Sequence, residues 1–237
     1  MPPDAYTLGF DTSAAHCAAA LLRGDRVLVF RDEPMATGQA ERLLPMLEEV
    51  LRDAGIGWGD LGRIGVGTGP GNFTGVRIGV AAARGLALGL GIPAVGVTRL
   101  EALAFGLGAV TAVEDARRGE VYVQDFAAPV DNGGRTVAPP PHPSPTRGEG
   151  GSDLWVLGAA LPGEARLMSA GDVVAMRVVG SGAALVAGAE VVAPRMPLVE
   201  AVARLAALRE PGTRPAPFYL RGADAAPPSD PPPVILP

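Results

Sequence analysis

The sequence predicts an α/β fold built on a mixed sheet, with antiparallel strands first and parallel strands later. Three observations support this. Short apolar segments separated by a tight turn come first, and segments with helical periodicity then alternate with further apolar segments. A weaker copy of the same order begins near residue 108. A short turn makes neighbouring strands antiparallel, whereas a helical crossover allows them to run parallel.

Three strands are expected at the start of the chain, at residues 6–12, 16–22 and 26–31. Each is a short apolar run, and the turn Gly24-Asp25 joins the last two as a hairpin. The first run, Y-T-L-G-F-D-T, passes from apolar to polar residues at its end.

A helix is expected at residues 40–54, because its apolar residues recur at steps of three and four. These residues are Ala40, Leu43, Leu44, Leu47, Val50, Leu51 and Ala54. Pro45 either kinks this helix or lies in its first turn. Gly55 is placed to end the helix.

The most distinctive segment is a glycine-rich loop between a strand expected at residues 63–67 and a helix expected at residues 76–90. Its members are Gly67, Thr68, Gly69, Pro70, Gly71, Asn72, Phe73, Thr74 and Gly75, followed by Arg77. A glycine loop that leads into a helix aims unpaired N–H groups at one point, which is typical of an anion site. The alternative is a structural turn that lets the helix pack closely on the sheet. The loop has neither the Walker pattern nor G-x-G-x-x-G.

The same alternation continues beyond this loop. A strand is expected at residues 94–97, and Thr98 is the expected N-cap of a helix that ends at Phe105. Strands expected at residues 109–113 and 121–126 begin the second copy. Each is again a short apolar run.

The second half is interrupted by residues 131–153, which are crowded with proline, glycine, serine and threonine. This composition cannot bury a core and predicts a disordered or loosely held insertion. The elements expected after it are strands near 154–157 and 191–192, a helix at 198–208, and a proline-rich tail from residue 211.

Composition excludes several kinds of chemistry. The 237 residues include no lysine, so a P-loop lysine and a Schiff-base lysine are both excluded. The single cysteine, Cys17, lies in an apolar run and is expected to be a buried hydrophobic residue. His16 and His142 do not have the spacing of metal ligands. The net charge of −5 argues against this chain holding a polyanion alone.

The sequence also bears on location. The best candidate for a membrane span, residues 76–90, contains Arg77 and Arg84 and is therefore expected to be a buried helix of a soluble protein. The first ten residues lack the basic region of a signal peptide. A cytoplasmic location is therefore expected.

The glycine-rich loop also carries a resemblance to a known family. The run G-T-G-P-G-N-F-T-G-V-R-I-G-V at residues 67–80 is similar, almost letter for letter, to the signature of the TsaB (YeaZ) family. Supporting segments follow in family order: G-F-D-T-S from Gly9, E-R-L-L-P-M-L from Glu41, D-A-R-R-G-E-V-Y from Asp115, G-S-G-A from Gly180 and F-Y-L-R from Phe218. The similarity is close over residues 6–126 and patchy afterwards, and the proline-rich insertion departs from it.

The resemblance implies an actin-like/hexokinase-like (ASKHA) fold with two related subdomains, each a mixed sheet flanked by helices. Residues 1–107 would form the N-terminal subdomain, completed by residues 197–225. Residues 108–196 would form a smaller, degenerate subdomain with the insertion at about 131–152.

In that fold, three segments would be remnants of a nucleotide site. They supply Asp11, Thr12 and Ser13, then Asp115 and Arg117, and finally Gly180 and Gly182. The site is expected to be degenerate, because Arg117 and Arg118 are bulky for a phosphate loop, although arginine could instead pair with phosphate. Asp11 could ligate magnesium or satisfy the end of its strand.

No metal site is expected on this chain. The catalytic paralogue in this family, TsaD, binds metal through two histidines of one helix. The corresponding helix here contains no histidine, and Gln39 stands where family members often have one. A glutamine carbonyl is a poor ligand for a transition metal. The resemblance therefore implies no catalytic residue and no cofactor here, with ATP and metal bound by TsaD and TsaE.

The implied role is a non-catalytic scaffold that activates TsaD in threonylcarbamoylation of the tRNA adenosine adjacent to the anticodon, together with TsaE. The partner interface is expected on two helices, at Leu43, Leu44, Leu47, Val76, Gly79, Val80 and Ala83. The same helices would serve a homodimer, tRNA would be reached only indirectly, and no membrane is involved. The alternatives are an actin-like-fold ATPase or kinase, a glycoprotease-like enzyme, and a tRNA-binding module.

Overall fold

Two mixed β-sheets follow one another along the chain in this computed structural model, which describes residues 5–128 and 161–221. The first sheet has the order β3-β2-β1-β4-β5. Its strands are β1 Tyr6–Asp11, β2 His16–Arg23, β3 Arg26–Pro34, β4 Leu61–Gly67 and β5 Ala94–Val97. β1, β2 and β3 are antiparallel, whereas β1, β4 and β5 are parallel. The helices α1 (Gln39–Asp53) and α2 (Phe73–Leu90) make the crossovers that parallel strands need.

The second sheet repeats this arrangement. It has the order β11-β10-β6-β7-β8, with β9 also paired to β7. Its strands are β6 Val110–Arg117, β7 Glu120–Ala127, β8 Leu161–Pro162, β9 Arg166–Ser169, β10 Arg177–Val179 and β11 Glu190–Val191. β6 is antiparallel to β7 and parallel to β10, as β1 is to β2 and β4. The chain therefore has the predicted actin-like/hexokinase-like (ASKHA) fold.

Two further helices connect the sheets. The short helix α3 (Arg99–Ala104) leads from the first sheet to the second, and α4 (Leu198–Leu208) returns to the first. Single turns of 3-10 helix occur at Trp58–Asp60, Ala170–Asp172 and Ala183–Leu185.

The helix α4 packs unusually close to the first sheet, because two strand residues opposite it are glycines. A Cβ atom on Gly9 would lie 2.6 Å from Cβ of Ala203, and one on Gly65 would lie 2.6 Å from Cβ of Ala206. The buried Arg63 fixes the end of the helix by donating from Nη1 to the carbonyls of Ala206, Ala207 and Arg209. A guanidinium at these carbonyls satisfies groups that the helix leaves unpaired.

The helices α1 and α2 cover the opposite face of the first sheet. Each buries one stripe of side chains against Leu8, Phe10 and Ile64 of the sheet. The stripes consist of Gln39, Leu43, Met46, Leu47, Val50 and Leu51 on α1, and Gly75, Val76, Gly79, Val80 and Ala83 on α2. The core of this subdomain therefore lies between the helix pair and the sheet.

Several local predictions can be checked against the elements. Thr98 caps α3 through a capping box with Glu101, as predicted. α2 begins at Phe73, three residues earlier than predicted, because the side chain of Asn72 accepts a hydrogen bond from N–H of Gly75. Pro45 lies inside α1. The predicted insertion at 131–153 and the strand near 154–157 lie outside the described residues.

The expectation that residues 76–90 form a buried helix holds for only one face of α2. The helix is long and apolar enough to span a membrane by length and composition, with a mean hydropathy of 1.3. However, only one face packs on the sheet. The opposite face exposes Arg77, Ala81, Arg84, Gly85 and Leu88 to solvent.

Candidate functional site

The carboxyl end of β1, where the first nucleotide-site remnant was expected, is closed by the protein itself. Asp11, Thr12 and Ser13 are all buried. The Thr12 hydroxyl donates to the carbonyl of Gly75 over 2.7 Å, and the carbonyl of Ser13 accepts from N–H of Asn72 over 2.6 Å. The Thr12 hydroxyl and the Ser13 carbonyl are therefore both bonded to the glycine-rich loop.

The glycines of this loop make that contact possible. A Cβ atom on Gly71 would lie 2.2 Å from the Ser13 carbonyl oxygen, and one on Gly75 would lie 1.9 Å from the Thr12 carbonyl oxygen. Only glycine permits a backbone approach this close. Of the two interpretations of the loop, the geometry favours a structural turn over an open anion site.

The two oxygens of the buried Asp11 carboxylate differ in their partners. Its Oδ2 accepts hydrogen bonds from Ser13 Oγ over 3.0 Å and contacts His16 Nε2 at 2.7 Å. Its Oδ1 has no hydrogen-bond partner and faces Gly67, where a Cβ atom would lie 1.9 Å away. Burial opposes ionisation, but the hydrogen bond from His16 and the charge of Arg99 outweigh it and keep the pKa of Asp11 below its ordinary value. Both partners of Oδ2 are side chains, so the geometry of the described residues does not show the backbone hydrogen bonds that satisfying the strand end requires.

His16 lies between two carboxylates, which sequence reasoning did not anticipate. Its Nε2 contacts Asp11, and its Nδ1 lies 3.2 Å from Oδ1 of Asp32 on β3. Burial lowers the pKa of His16, but the hydrogen bond to Asp11 and the charges of Asp11 and Asp32 raise it above its ordinary value. Both nitrogens can donate only in the imidazolium form, so protonation strengthens this cluster.

Arg99 connects this cluster to the second subdomain. Its Nε donates to Oε2 of the buried Glu114 on β6 over 2.6 Å. The other oxygen of Glu114 accepts from N–H of Ser181 over 3.0 Å. An ion pair at the first residue of α3 therefore holds both subdomains against each other.

The third remnant packs against β6 in the same way as the glycine-rich loop packs against β1. Gly180 has a φ of 114°. A Cβ atom there would lie 2.4 Å from the carbonyl oxygen of Val113, and one on Gly182 would lie 2.9 Å from the Val113 side chain. N–H of Gly182 donates to the same carbonyl over 2.9 Å. The third remnant is therefore engaged with the strand.

The second remnant is open, in contrast to the other two. Asp115 accepts a hydrogen bond from N–H of Arg117 over 2.7 Å. The Arg117 side chain is 85% exposed, so it projects into solvent instead of filling a phosphate loop. The Arg117 side chain was expected to block the nucleotide site by its size, but it does not close the site. The packing around Asp11 and Gly180 closes it.

Metal binding was not expected at Gln39, and its side chain is held by the backbone. Gln39 is buried, and its Nε2 donates to the carbonyl of Met35 over 3.2 Å. Within residues 5–128 and 161–221, no three His, Cys, Asp or Glu side chains are arranged to hold a metal ion.

The expected partner interface needs a correction. Six of its seven residues are buried in this chain's own core, namely Leu43, Leu47, Val76, Gly79, Val80 and Ala83. They face the sheet, where α1 packs mainly on β2 and α2 packs mainly on β4. Only Leu44 is available to a partner, with 47% of its surface exposed. The surface that α2 offers is its opposite face, which includes Leu88 at 80% exposed.

The comparisons with known proteins agree with this geometry. The family model described as "TsaD: tRNA N6-adenosine threonylcarbamoyltransferase" matches residues 34–146. The chain is 39% identical over 125 residues to "tRNA threonylcarbamoyladenosine biosynthesis protein TsaB" of Escherichia coli, covering 50% of this chain and 54% of that protein. It is 40% identical over 119 residues to the protein of the same name from Bacillus subtilis, covering 48% of this chain and 52% of that protein.

Solved structures extend the match beyond the first half of the chain. A Pseudomonas aeruginosa protein described as having "similarity to peptidase YEAZ" has a TM-score of 0.71 and 28% identity, covering 92% of this chain and 100% of that chain. A second structure, "YeaZ from Pseudomonas aeruginosa", has a TM-score of 0.64 and 27% identity, covering 85% of this chain and 90% of that chain. The chain is therefore similar to TsaB (YeaZ) proteins in sequence over about half of its length and in fold over most of it. In sequence, it spans about half the length of the curated TsaB relatives it matches.

Several residues of this site were missed by sequence reasoning. His16, Asp32, Arg99 and Glu114 join the cluster around Asp11 only through strand register and the meeting of the two subdomains. The available signal was weak: His16 and Arg99 are polar residues at the first position of a strand and a helix, next to the edge where β1 ends.

Proposed function

We propose that this chain is a non-catalytic subunit that docks on a TsaD-type threonylcarbamoyltransferase and activates it, with TsaE completing the assembly. The reaction would be threonylcarbamoylation of the tRNA adenosine adjacent to the anticodon. The names of the curated relatives and of the matching family model support this pathway. The partner and the absence of catalysis are argued from the structure below.

The observation that carries the proposal is the uncovered face of α2. Leu88 is 80% exposed, and Cβ atoms on Gly85 and Gly89 would meet no atom within 4 Å. A ridge of glycines beside an exposed leucine lets another helix approach its backbone closely. A groove of about 500 Å³ continues this face at the end of α2, where Arg84 and Leu88 meet residues 211–215. Exposed apolar surface of this kind marks an interaction site.

The closed nucleotide site supports a role without catalysis. A kinase or ATPase needs a cradle for phosphate, and here the Thr12 hydroxyl is bonded to the glycine-rich loop and the Ser13 hydroxyl is bonded to Asp11. A cysteine protease needs a reactive thiolate, whereas burial raises the pKa of Cys17 to about 11. The enzyme alternatives therefore lack their central groups among the described residues.

Reconstitution of tRNA modification tests the proposal. Purified TsaD and TsaE are expected to modify tRNA only when this chain is added, and the chain alone is expected to show no ATPase, protease or transferase activity. Robust ATP turnover by the isolated chain that Asp11→Ala abolishes would instead support the ATPase alternative. Full modification without the chain would contradict the activating role.

The same face allows a second copy to bind when TsaD is absent. Sedimentation analysis is expected to show a dimer of the isolated chain that TsaD converts into a mixed complex. A dimer that persists beside bound TsaD would show that the two contacts use different surfaces.

A further inference from the structure

The hairpin between β6 and β7 carries arginines in a conformation that side chains avoid. Arg117, Arg118 and Gly119 have φ values of 69°, 58° and 78°. Arg117 pairs with Glu120, so Arg118 and Gly119 form a two-residue turn. Such turns favour Asn-Gly or Asp-Gly, and other side chains are strained in this conformation. Local folding therefore does not explain two successive arginines at this tip.

These arginines are available to a ligand. The Arg117 side chain is 85% exposed, and its contact with Asp115 is a distant one of 3.6 Å. Arg118 is exposed and has no ion pair with any described residue. Guanidinium groups without carboxylate partners bind phosphate well, because their planar donors match its oxygens.

An exposed aromatic cluster lies at the start of α2. The rings of Phe73 and Tyr219 stack with centroids 5.3 Å apart, and they are 53% and 46% exposed. The Arg77 guanidinium lies 3.8 Å from the Phe73 ring centroid, and its Nε donates to Oη of Tyr219 over 3.0 Å. These contacts hold three large side chains in fixed positions at the surface, and none of the three contacts involves a carboxylate.

The hairpin and the aromatic cluster are joined by the segment that contains Tyr219. Arg221 pairs with Glu120 at the base of the hairpin, with Nη2 and Oε2 2.5 Å apart. Tyr219 precedes Arg221 by two residues, a separation of at most about 7 Å along the chain. The two groups are therefore neighbours along this segment, and together they are called the aromatic–arginine patch, made of Phe73, Arg77, Arg117, Arg118, Tyr219 and Arg221.

We propose that the aromatic–arginine patch binds an unpaired stretch of RNA, with a base stacking on the aromatic pair and phosphates pairing with Arg117 and Arg118. The inference rests on the proposed function, in which tRNA is the substrate of the complex. Aromatic rings beside guanidinium groups are the usual means of holding single-stranded RNA. With a net charge of −5 on the whole chain, this contact adds to the RNA affinity of the partner instead of replacing it.

The test measures tRNA affinity of the complex formed by this chain and TsaD. Tyr219→Ala is expected to weaken tRNA binding by about 5-fold to 100-fold, the range for losing one stacked base. Tyr219→Phe keeps the ring and is expected to bind like the wild type. Arg118→Gln is expected to lower the slope of log affinity against log salt by about 0.7, the value for one phosphate contact on a single strand. Arg26→Gln, an exposed arginine outside the patch, is the matched control.

Each outcome is decisive for the patch. If Tyr219→Ala and Arg118→Gln leave tRNA affinity unchanged in an intact complex, the inference is wrong. If these variants instead prevent TsaD from binding, the patch is a protein interface and the RNA contact is also wrong. The isolated chain is titrated in parallel with a single-stranded RNA dodecamer at low salt. RNA binding that Tyr219→Ala abolishes supports the patch even if TsaD does not bind, which separates this inference from the proposed function.

Discussion

The contact between Arg63 and the end of α4 gives a prediction whose size follows from the structure. The guanidinium Nη1 faces three helix-terminal carbonyls, but its two protons satisfy at most two of them fully. Hydrogen bonds from a charged donor contribute about 1.5–3 kcal/mol each, so their loss costs about 3–6 kcal/mol. Removing a buried guanidinium also relieves its desolvation, which keeps the pKa of Arg63 below its ordinary value.

We therefore expect Arg63→Met to lower the free energy of unfolding by about 2–4 kcal/mol. For a chain of this size, such a loss lowers the melting temperature by about 5–15 °C. Urea unfolding followed by circular dichroism measures the first quantity, and calorimetry measures the second.

Two variants make this prediction specific. Arg26→Met, the same change at an exposed site, is expected to stay within about 0.5 kcal/mol of the wild type. Arg63→Lys keeps a charge but loses the planar fork, so an intermediate loss is expected. If Arg63→Met is as stable as Arg26→Met, the arginine does not hold α4 in place and the reasoning is refuted.

Two further predictions concern the cluster around Asp11. The pKa of His16 is raised, so the stabilisation that the charged imidazolium gives the fold is complete below pH about 6.5. This stabilisation declines as the pH rises through the pKa of His16 in the folded protein. The pKa of Asp11 is lowered, so Asp11 keeps its charge, and the pair is preserved, until much more acidic pH. The free-energy difference between wild type and His16→Asn should therefore be larger at pH 5 than at pH 9, and equal differences would contradict the pairing. Gly67→Ala places a Cβ atom 1.9 Å from Asp11 Oδ1. This variant is expected to lower the free energy of unfolding by about 1–3 kcal/mol. In the control Gly85→Ala, the new Cβ atom meets no atom within 4 Å, so the substitution should not destabilise the chain. Equal thermal stability of both glycine variants would show that the Asp11 site is not closed.

The features that could be predicted from the sequence are those with local signals. The Gly24 turn, the alternation of apolar runs and the cap at Thr98 each depend on a few neighbouring residues, and the structure has them where they were predicted. The start of α2 was predicted three residues late. The signal for it was also local, since Asn72 is a favoured N-cap residue, but the surrounding glycines indicated a loop.

The orientation of the helices could not be predicted in the same way. Leu43 and Leu44 are adjacent and equally apolar, and almost every position of α2 is apolar or small. The hydrophobic pattern therefore shows that the helices pack on something, but it does not show which face meets the sheet. The cluster around Asp11 and the stacking of Tyr219 on Phe73 depend on contacts between distant segments, for which a single sequence gives no local signal.

The central claim is that the chain docks on TsaD through the exposed face of α2, and binding of the Leu88→Arg variant tests it most directly. Leu88 is 80% exposed, so the substitution should leave the melting temperature unchanged, while an unpaired charge buried in the interface costs several kcal/mol. Calorimetric titration with TsaD is expected to show at least about 30-fold weaker binding, since about 1.4 kcal/mol corresponds to tenfold. The matched control is Val174→Arg, at a residue of the second subdomain that is 96% exposed. This variant should bind TsaD with an affinity within twofold of the wild type, a difference in binding free energy of at most about 0.4 kcal/mol. Wild-type affinity of Leu88→Arg, or no binding of TsaD to the wild-type chain, would contradict the account.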